Sequence, residues 1–212
     1  MLMGDPTAWL PQFRNLEDQV LEALVLAWPV CIAPLQSKKN EMTHEDHITN
    51  HLVQSLIRTK KLPGRIIPQY SLLIEDAAGN VRMSSHIDFV ITIGDDEDVY
   101  LACECKRLNV PYKSGTKGLV GEYVKEGLMR FVTGQYSNGL PHAMMLGYVM
   151  NAKSDHALRG VKRAINVRQV QTRLQSQIDI PPISGYPLRF ETTHLCLPGH
   201  SIEVRHTLLA WP

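Results

Sequence analysis

The sequence predicts an α/β protein, and two observations carry this prediction. Two apolar runs, residues 87–93 (IDFVITI) and 99–105 (VYLACEC), flank an acidic, turn-like cluster at residues 94–98, which is the pattern of a β-hairpin. A polar-then-apolar helix pattern and a short strand candidate at residues 69–74 precede this hairpin, and a helix and the apolar run 143–150 follow it. The predicted order is helix, three strands, helix, strand.

The remaining elements follow from hydrophobic spacing. The helix that precedes the strand candidate at 69–74 continues to about Lys60, with Ile48, Leu52 and Leu56 facing inward. Residues 110–121 form a loop rich in glycine, serine and lysine, and helices are predicted at 121–136 and 155–178. Two alternating segments, 188–196 and 201–209, predict a final pair of strands.

The composition is that of a soluble globular protein with one sizeable core. The chain has 212 residues, 44% of them hydrophobic and 20% charged, with a formal net charge of +1. Any binding of nucleic acid must therefore come from a local basic patch. The four cysteines include no C-x-x-C pair, which argues against a zinc ribbon or a disulfide scaffold.

Residues 1–40 are predicted to be an N-terminal helical extension, and residues 41–212 the main domain. A helix at residues 13–28 would cover one side of the core. The longest apolar stretch, residues 24–35, contains Pro29 and Pro34 and is too short to cross a bilayer. No charged start leads into a signal core, so we expect a cytoplasmic protein without a membrane partner.

The register of the predicted hairpin brings two carboxylates together. A hairpin centred on Asp96 pairs residues whose numbers sum to 192, which makes Asp88 and Glu104 cross-strand neighbours with Cβ atoms roughly 4.5–5.5 Å apart. Carboxylates this close repel each other unless a cation lies between them, and their oxygens suit Mg²⁺ or Mn²⁺. Strand alternation places Glu104 and Lys106 on one face, and Cys105 on the opposite face, toward the core.

Asp88, followed sixteen residues later by Glu104-Cys105-Lys106 on the next strand, resembles the PD-(D/E)XK nuclease superfamily. The resemblance covers about residues 41–150 and implies a restriction-endonuclease-like core, a central mixed sheet flanked by helices in αβββαβ order. Ile87 stands where the name-giving proline of the family would be.

The resemblance also implies the roles of the site residues. Asp88, Glu104 and the backbone carbonyl of Cys105 would hold Mg²⁺ or Mn²⁺, and Lys106 would lie beside the attacking water and the scissile phosphate. Glu45, near the start of the preceding helix, would complete the metal shell or orient water. Glu41 and Asp46 are alternatives to Glu45, because the helix register is not fixed by the sequence.

Contacts with nucleic acid are expected from the loop after the catalytic strand and from the two following helices. The helix at 155–178 carries mostly basic residues, and an ordinary exposed helix face is the alternative interpretation. The candidate contact residues are Lys113, Lys117, Arg130, Gln135, Arg159, Lys162 and Arg163.

The sequence thus predicts a Mg²⁺-dependent endonuclease that hydrolyses phosphodiester bonds, with DNA favoured over RNA. Restriction, repair or antiviral (anti-phage) defence is the setting that the resemblance implies, with action as a homo-oligomer or beside a partner subunit. Two alternatives stay open. One is a non-catalytic nucleic-acid-binding or scaffold subunit that keeps the fold, and the other is a zinc protein built on His44, His47 and His51.

Overall fold

The structure is a computed structural model, and it describes residues 9–36, 44–75, 78–93, 96–136, 139–197 and 199–212. Its strands are β1 (Ile66–Glu75), β2 (Val81–Ile93), β3 (Asp96–Leu108), β4 (Val110–Tyr112), β5 (Gly115–Lys117), β6 (His142–Val149), β7 (Leu174–Asp179), β8 (Leu188–Leu195) and β9 (Ser201–Ala210). Its helices are α1 (Leu10–Gln36), α2 (Glu45–Thr59), α3 (Val120–Glu122), a π-helical segment (Tyr123–Leu128), α4 (Met129–Val132) and α5 (Ser154–Val167).

Seven strands form one mixed sheet in the order β1-β2-β3-β6-β9-β8-β7. The pairs β3–β6 and β6–β9 are parallel, and the other neighbours are antiparallel. Every residue of β6 is buried, as expected for a central parallel strand that is covered on both faces. The prediction of an α/β protein with a mixed sheet flanked by helices is therefore confirmed.

Helices cover both faces of the sheet, and the alternation along β6 shows which helix lies where. Tyr148 stacks on Trp28 of α1 with ring centroids 5.5 Å apart. Its neighbour Gly147 faces the other way, where an added Cβ would lie 3.5 Å from the ring of Tyr123 in the π-helical segment. The helices α1 and α2 therefore cover one face, and the helix from α3 to α4, together with α5, covers the other.

The hairpin register is confirmed where β2 and β3 pair. Phe89 pairs with Cys103 and Thr92 with Tyr100, and the residue numbers of each pair sum to 192 as predicted. The register shifts after Thr92, and β3 already begins at Asp96, so the turn is shorter than residues 94–98. Gly94 and Asp95 lie outside the described residues.

The helix α1 is longer than predicted and packs into the same core as the rest of the chain, through residues such as Phe13, Val20 and Leu24. By length and apolar composition α1 would also be able to cross a membrane, and the buried core helix of a soluble protein has the same properties. Half of its most apolar stretch is buried inside the protein. The Trp28 indole Nε1–H donates to the carbonyl of Ala210, at 2.6 Å.

Three sequence predictions in the second half of the chain need correction. The helix expected at 121–136 ends at Val132, and it contains a π-helical segment that hydrophobic spacing does not reveal. The helix expected at 155–178 ends at Val167, because residues 174–179 pair with β8 as an edge strand. Arg173, the residue before that strand, has a positive φ of 50°, which is incompatible with a continuing helix. Part of the loop at 110–121 is a small hairpin, β4–β5.

A fully buried chain of hydrogen bonds runs from the π-helical segment across β9 and β8 to the turn before the edge strand β7. The Nδ1 of His194 lies 2.6 Å from the Thr172 carbonyl, which can only accept, so this nitrogen carries the proton. The Nε2 of His194 must then accept from the hydroxyl of Thr192, at 2.8 Å. That hydroxyl accepts in turn from the Nε2 of His206, whose Nδ1 accepts from Tyr123 at 3.0 Å. Both imidazoles are neutral in this arrangement.

Acidification is expected to destabilise the fold through this chain of hydrogen bonds. Burial lowers the pKa of His194 to about 4 and that of His206 well below its usual value. Since the native state then binds fewer protons than the unfolded state, the stabilisation is complete above the unfolded pKa of about 6.5 and is lost as the pH falls. For His194 the loss is roughly 3 kcal/mol between about pH 7 and pH 4.

The variant His194→Asn isolates this contribution, because an amide can donate to the Thr172 carbonyl but does not titrate. Urea unfolding of both proteins across this pH range measures their free energies of unfolding. The difference between the wild type and the variant should become smaller as the pH falls toward 4. A difference between the two proteins that stays constant with pH would contradict the neutral assignment of His194.

Candidate active site

Five charged side chains from four elements meet where β2 and β3 stop pairing. The main-chain register of the two strands ends at Phe89 and Cys103, one step before Asp88 and Glu104. The expectation that Asp88 and Glu104 form a regular cross-strand pair is therefore wrong in detail. Instead, the Oδ2 of Asp88 accepts the backbone N–H of Cys105 at 2.6 Å, so this carboxylate takes the place of a strand carbonyl.

Lys106 lies at the centre of the cluster. Its Nζ is 2.8 Å from the Oε1 of Glu45 and 2.9 Å from the Oε1 of Glu104, and it donates to the carbonyl of Cys105 at 2.8 Å. Burial alone would lower the pKa of Lys106, but the carboxylates of Glu104 and Glu45 outweigh it and raise the pKa above its usual value. Lys106 is therefore a permanent cation at neutral pH.

Glu104 is the most deeply buried member, with no exposed side-chain surface. Its Oε1 contacts both Lys106 and the guanidinium of Arg130, the latter at 3.2 Å. Its Oε2 is buried and has no hydrogen-bond partner within the described part of the chain. Burial and the nearby charge of Asp88 raise the pKa of Glu104 to about 7, although Lys106 opposes the shift. Burial raises the pKa of Asp88 as well, against the opposing effects of Lys106 and the Cys105 amide.

Glu45 is the acid through which α2 reaches the cluster. It is the first residue of that helix, and its two oxygens have separate partners, the Nζ of Lys106 and the backbone N–H of Arg107 at 2.8 Å. The position at a helix N-terminus also favours a negative charge there. Of the two alternatives, Asp46 is exposed and Glu41 lies outside the described residues.

The π-helical segment lies close to β3 because Gly127 has no side chain. An added Cβ at Gly127 would lie 2.6 Å from the terminal methyl of Met145 and 3.4 Å from the Cγ of Lys106. This close approach brings the next turn, with Arg130, onto Glu104. Arg130, which the sequence analysis named as a candidate contact with nucleic acid, is therefore part of the cluster. Tyr136, which the sequence analysis did not single out, is bonded to Arg130 through its hydroxyl.

The other candidate contact residues lie away from this cluster, on exposed elements. Lys113 and Lys117 lie on the β4–β5 hairpin, directly after the strand with Lys106, and Lys117 is 3.4 Å from Glu122. On α5, Arg159 and Arg163 are exposed. Lys162 instead pairs with Asp179 and lies over the ring of Phe190. Gln135 is exposed in the turn after α4 and is not on a helix.

The structure does not support the alternative of a zinc site at the histidines on and just before α2. His44 is the N-cap residue, and the rings of His47 and His51 lie 4.8 Å apart. Among the described residues, no group of three or more histidine, cysteine, aspartate or glutamate side chains is placed to hold a metal ion.

Two carboxylates are nevertheless sufficient for one kind of metal. Mg²⁺ usually keeps several waters and takes one or two protein carboxylates, with substrate phosphate completing its shell. Asp88 and Glu104 supply two such groups, and the unpartnered Oε2 of Glu104 is a buried acceptor that lacks a donor or a cation. The donor set therefore fits Mg²⁺ or Mn²⁺. The Cys105 carbonyl is less suited, since it already accepts from Lys106.

Comparison with known proteins gives no further guide. No family model matches the chain, and neither a curated protein nor a solved structure shows significant similarity to it.

Removing the charge of Lys106 should raise the pKa of Glu104. The Lys106→Met variant loses the largest of the effects that oppose burial, so Glu104 should titrate above its wild-type pKa of about 7. Carboxyl ¹³C NMR of the labelled glutamates measures this directly. Lys125→Met, which removes an exposed lysine from the π-helical segment, is the matched control and should leave the pKa unchanged. An unchanged pKa in both variants would mean that Lys106 does not contact Glu104.

Proposed function

We propose that this protein is a metal-dependent nuclease that hydrolyses phosphodiester bonds of nucleic acid. One observation carries the proposal. Where β2 and β3 separate, Asp88 lies beside a fully buried Glu104 that has an unpartnered oxygen, and Lys106 contacts the other oxygen. A pair of carboxylates, one of them fully buried, beside a permanent cation is an arrangement that can bind both a divalent metal and a phosphate.

The order of elements around the site supports a restriction-endonuclease-like core. α2 is followed by the antiparallel strands β1, β2 and β3, then by the helix from α3 to α4, and then by β6 parallel to β3. With the small β4–β5 hairpin left aside, this sequence of elements is compatible with the αβββαβ order that the resemblance implies. In the proposed assignment, α1 and the strands β7 to β9 are additions to that core.

Each residue of the cluster has a separate task in hydrolysis. Asp88 and Glu104 would hold Mg²⁺ or Mn²⁺, which lowers the pKa of bound water and withdraws charge from the scissile phosphate. Lys106 provides a positive charge next to the carboxylates, where charge develops on the phosphate oxygens. Glu45 orients the ammonium of Lys106 and connects α2 to β3 through the Arg107 amide.

Backbone contacts to the substrate are assigned to exposed cations outside the cluster. The β4–β5 hairpin carries Lys113 and Lys117 and follows Lys106 by only a few residues. Arg159 and Arg163 of α5 extend this set, while Lys162 is engaged with Asp179 and is a weaker candidate. Such contacts position a phosphate backbone without reading its sequence. DNA is the favoured substrate, and a role in defence, restriction or repair remains part of the proposal.

The test is cleavage by the purified protein. Supercoiled plasmid, single-stranded DNA and RNA are incubated with Mg²⁺, Mn²⁺ or EDTA. We expect cutting of at least one substrate with metal and none with EDTA. The variants Asp88→Asn and Lys106→Met should lose at least about 100-fold in rate, because each removes a charge that acts at the scissile phosphate.

Matched controls make this result specific. Asp155→Asn and Lys125→Met remove the same charges from exposed positions of α5 and the π-helical segment and should retain full activity. Cutting that survives both site substitutions would refute the assignment. Metal-independent binding of nucleic acid without any cutting would support the alternative, a non-catalytic binding subunit.

A further inference from the structure

Two side chains bridge β2 and β3 beyond the point where their main chains stop pairing. One nitrogen of the Arg130 guanidinium donates to the Oε1 of Glu104 on β3 and to the hydroxyl of Tyr136. That hydroxyl in turn donates to the carbonyl of His86, which lies on β2 two residues before Asp88. A continuous series of hydrogen bonds therefore joins the two strands that carry the carboxylates.

The direction of every bond in this bridge is fixed by chemistry. A guanidinium only donates and a carbonyl only accepts, so the Tyr136 hydroxyl must accept from Arg130 and donate to His86. Burial and the nearby charge of Glu104 raise the pKa of Tyr136 to about 12, which keeps the hydroxyl protonated, as the bond to His86 requires. The side chain of Tyr136 is fully buried, and its ring packs edge-on against Phe131, with centroids 5.7 Å apart.

We propose that Arg130 and Tyr136 are positioning residues that set the separation of Asp88 and Glu104 for a divalent cation. This inference rests on the proposed function. The strand ladder ends at Phe89 and Cys103, and beyond it Asp88 is joined to β3 by its bond to the Cys105 amide. Mg²⁺ requires nearly ideal octahedral geometry, so it is sensitive to the spacing of its oxygen ligands. The bridge adds a second connection, which holds the Glu104 carboxylate relative to β2.

The bridge also changes the role of Arg130. Its guanidinium lies 5.3 Å from the centroid of the Tyr136 ring and is bonded at both Glu104 and Tyr136. An arginine held in this way is a group that supports the metal ligands, and contact with a phosphate is secondary. Partners of this kind, which hold metal ligands from behind, usually contribute about 10- to 100-fold to metal affinity.

The experiment measures Mn²⁺ affinity, by the EPR signal of the free ion, on the full chain without substrate. Tyr136→Phe keeps the ring and removes only the hydroxyl, and we expect it to weaken Mn²⁺ binding by about 10- to 100-fold. Tyr123→Phe is the matched control, because it removes another buried tyrosine hydroxyl, one that lies in the π-helical segment and is bonded to His206 instead. It should leave Mn²⁺ affinity within about twofold of wild type, whereas thermal melting shows the loss of stability in both variants.

Arg130→Lys is the second variant, in case Tyr136→Phe does not fold. It keeps the positive charge beside Glu104, but the lysine side chain is shorter, so its ammonium is not expected to reach both Glu104 and the Tyr136 hydroxyl. Mn²⁺ binding should weaken here too. Affinity that is unchanged in both variants, while Asp88→Asn abolishes binding, would overturn the inference and leave the proposed function intact. No Mn²⁺ binding to the wild type would overturn both, and equal weakening by Tyr123→Phe would reduce the bridge to a stabilising role.

Discussion

The shared ammonium of Lys106 is the interaction on which the arrangement of the site depends. Its Nζ lies within 3 Å of oxygens from Glu45, Glu104 and the Cys105 carbonyl, so one cation connects α2 to β3. The side chain of Lys106 is 13% exposed and that of Glu104 is not exposed at all. Removing one partner of a buried pair costs about 3–5 kcal/mol, because the other charge is left without compensation. Neither residue is therefore free to change without affecting the other.

This constraint leaves the site with an excess of acceptors. Lys106 and Arg130 both contact the Oε1 of Glu104, while the Oε2 of Glu104 has no donor among the described residues. Burial raises the pKa values of Glu104 and Asp88, which means that two carboxylates are held where their negative charge is disfavoured. A divalent cation would relieve this cost, and the proposed function follows from that electrostatic imbalance.

The hairpin and its carboxylates could be predicted from the sequence because strand alternation and a short acidic turn leave little freedom in register. The pairing of Phe89 with Cys103 could be predicted in this way. The separation of the strands at Asp88 could not be predicted, because it depends on the bond from the Cys105 amide to a side-chain oxygen. Glu45 was predicted because the family resemblance implies an acid near the start of the preceding helix, and its contact with Lys106 depends on how α2 packs on the sheet.

Other features depend on tertiary contacts that leave no periodic signal. The position of Tyr136 in the sequence gives no sign of a special role, and only the fold brings its hydroxyl to the carbonyl of His86. The predicted helix at 155–178 fails because residues 174–179 gain strand partners in β8, a gain that outweighs local helix propensity. The buried bonds around His206 likewise join residues from three distant segments, so spacing along the chain gives no indication of them.

The account is tested most directly by locating Mn²⁺ through its anomalous X-ray scattering in crystals of the protein soaked with the ion. We expect a single strong peak at the carboxylates of Asp88 and Glu104, and no peak in crystals of Asp88→Asn. Manganese bound instead at His47 and His51, or no ordered ion at all in wild-type crystals, would contradict the central claim that these two carboxylates form a metal site.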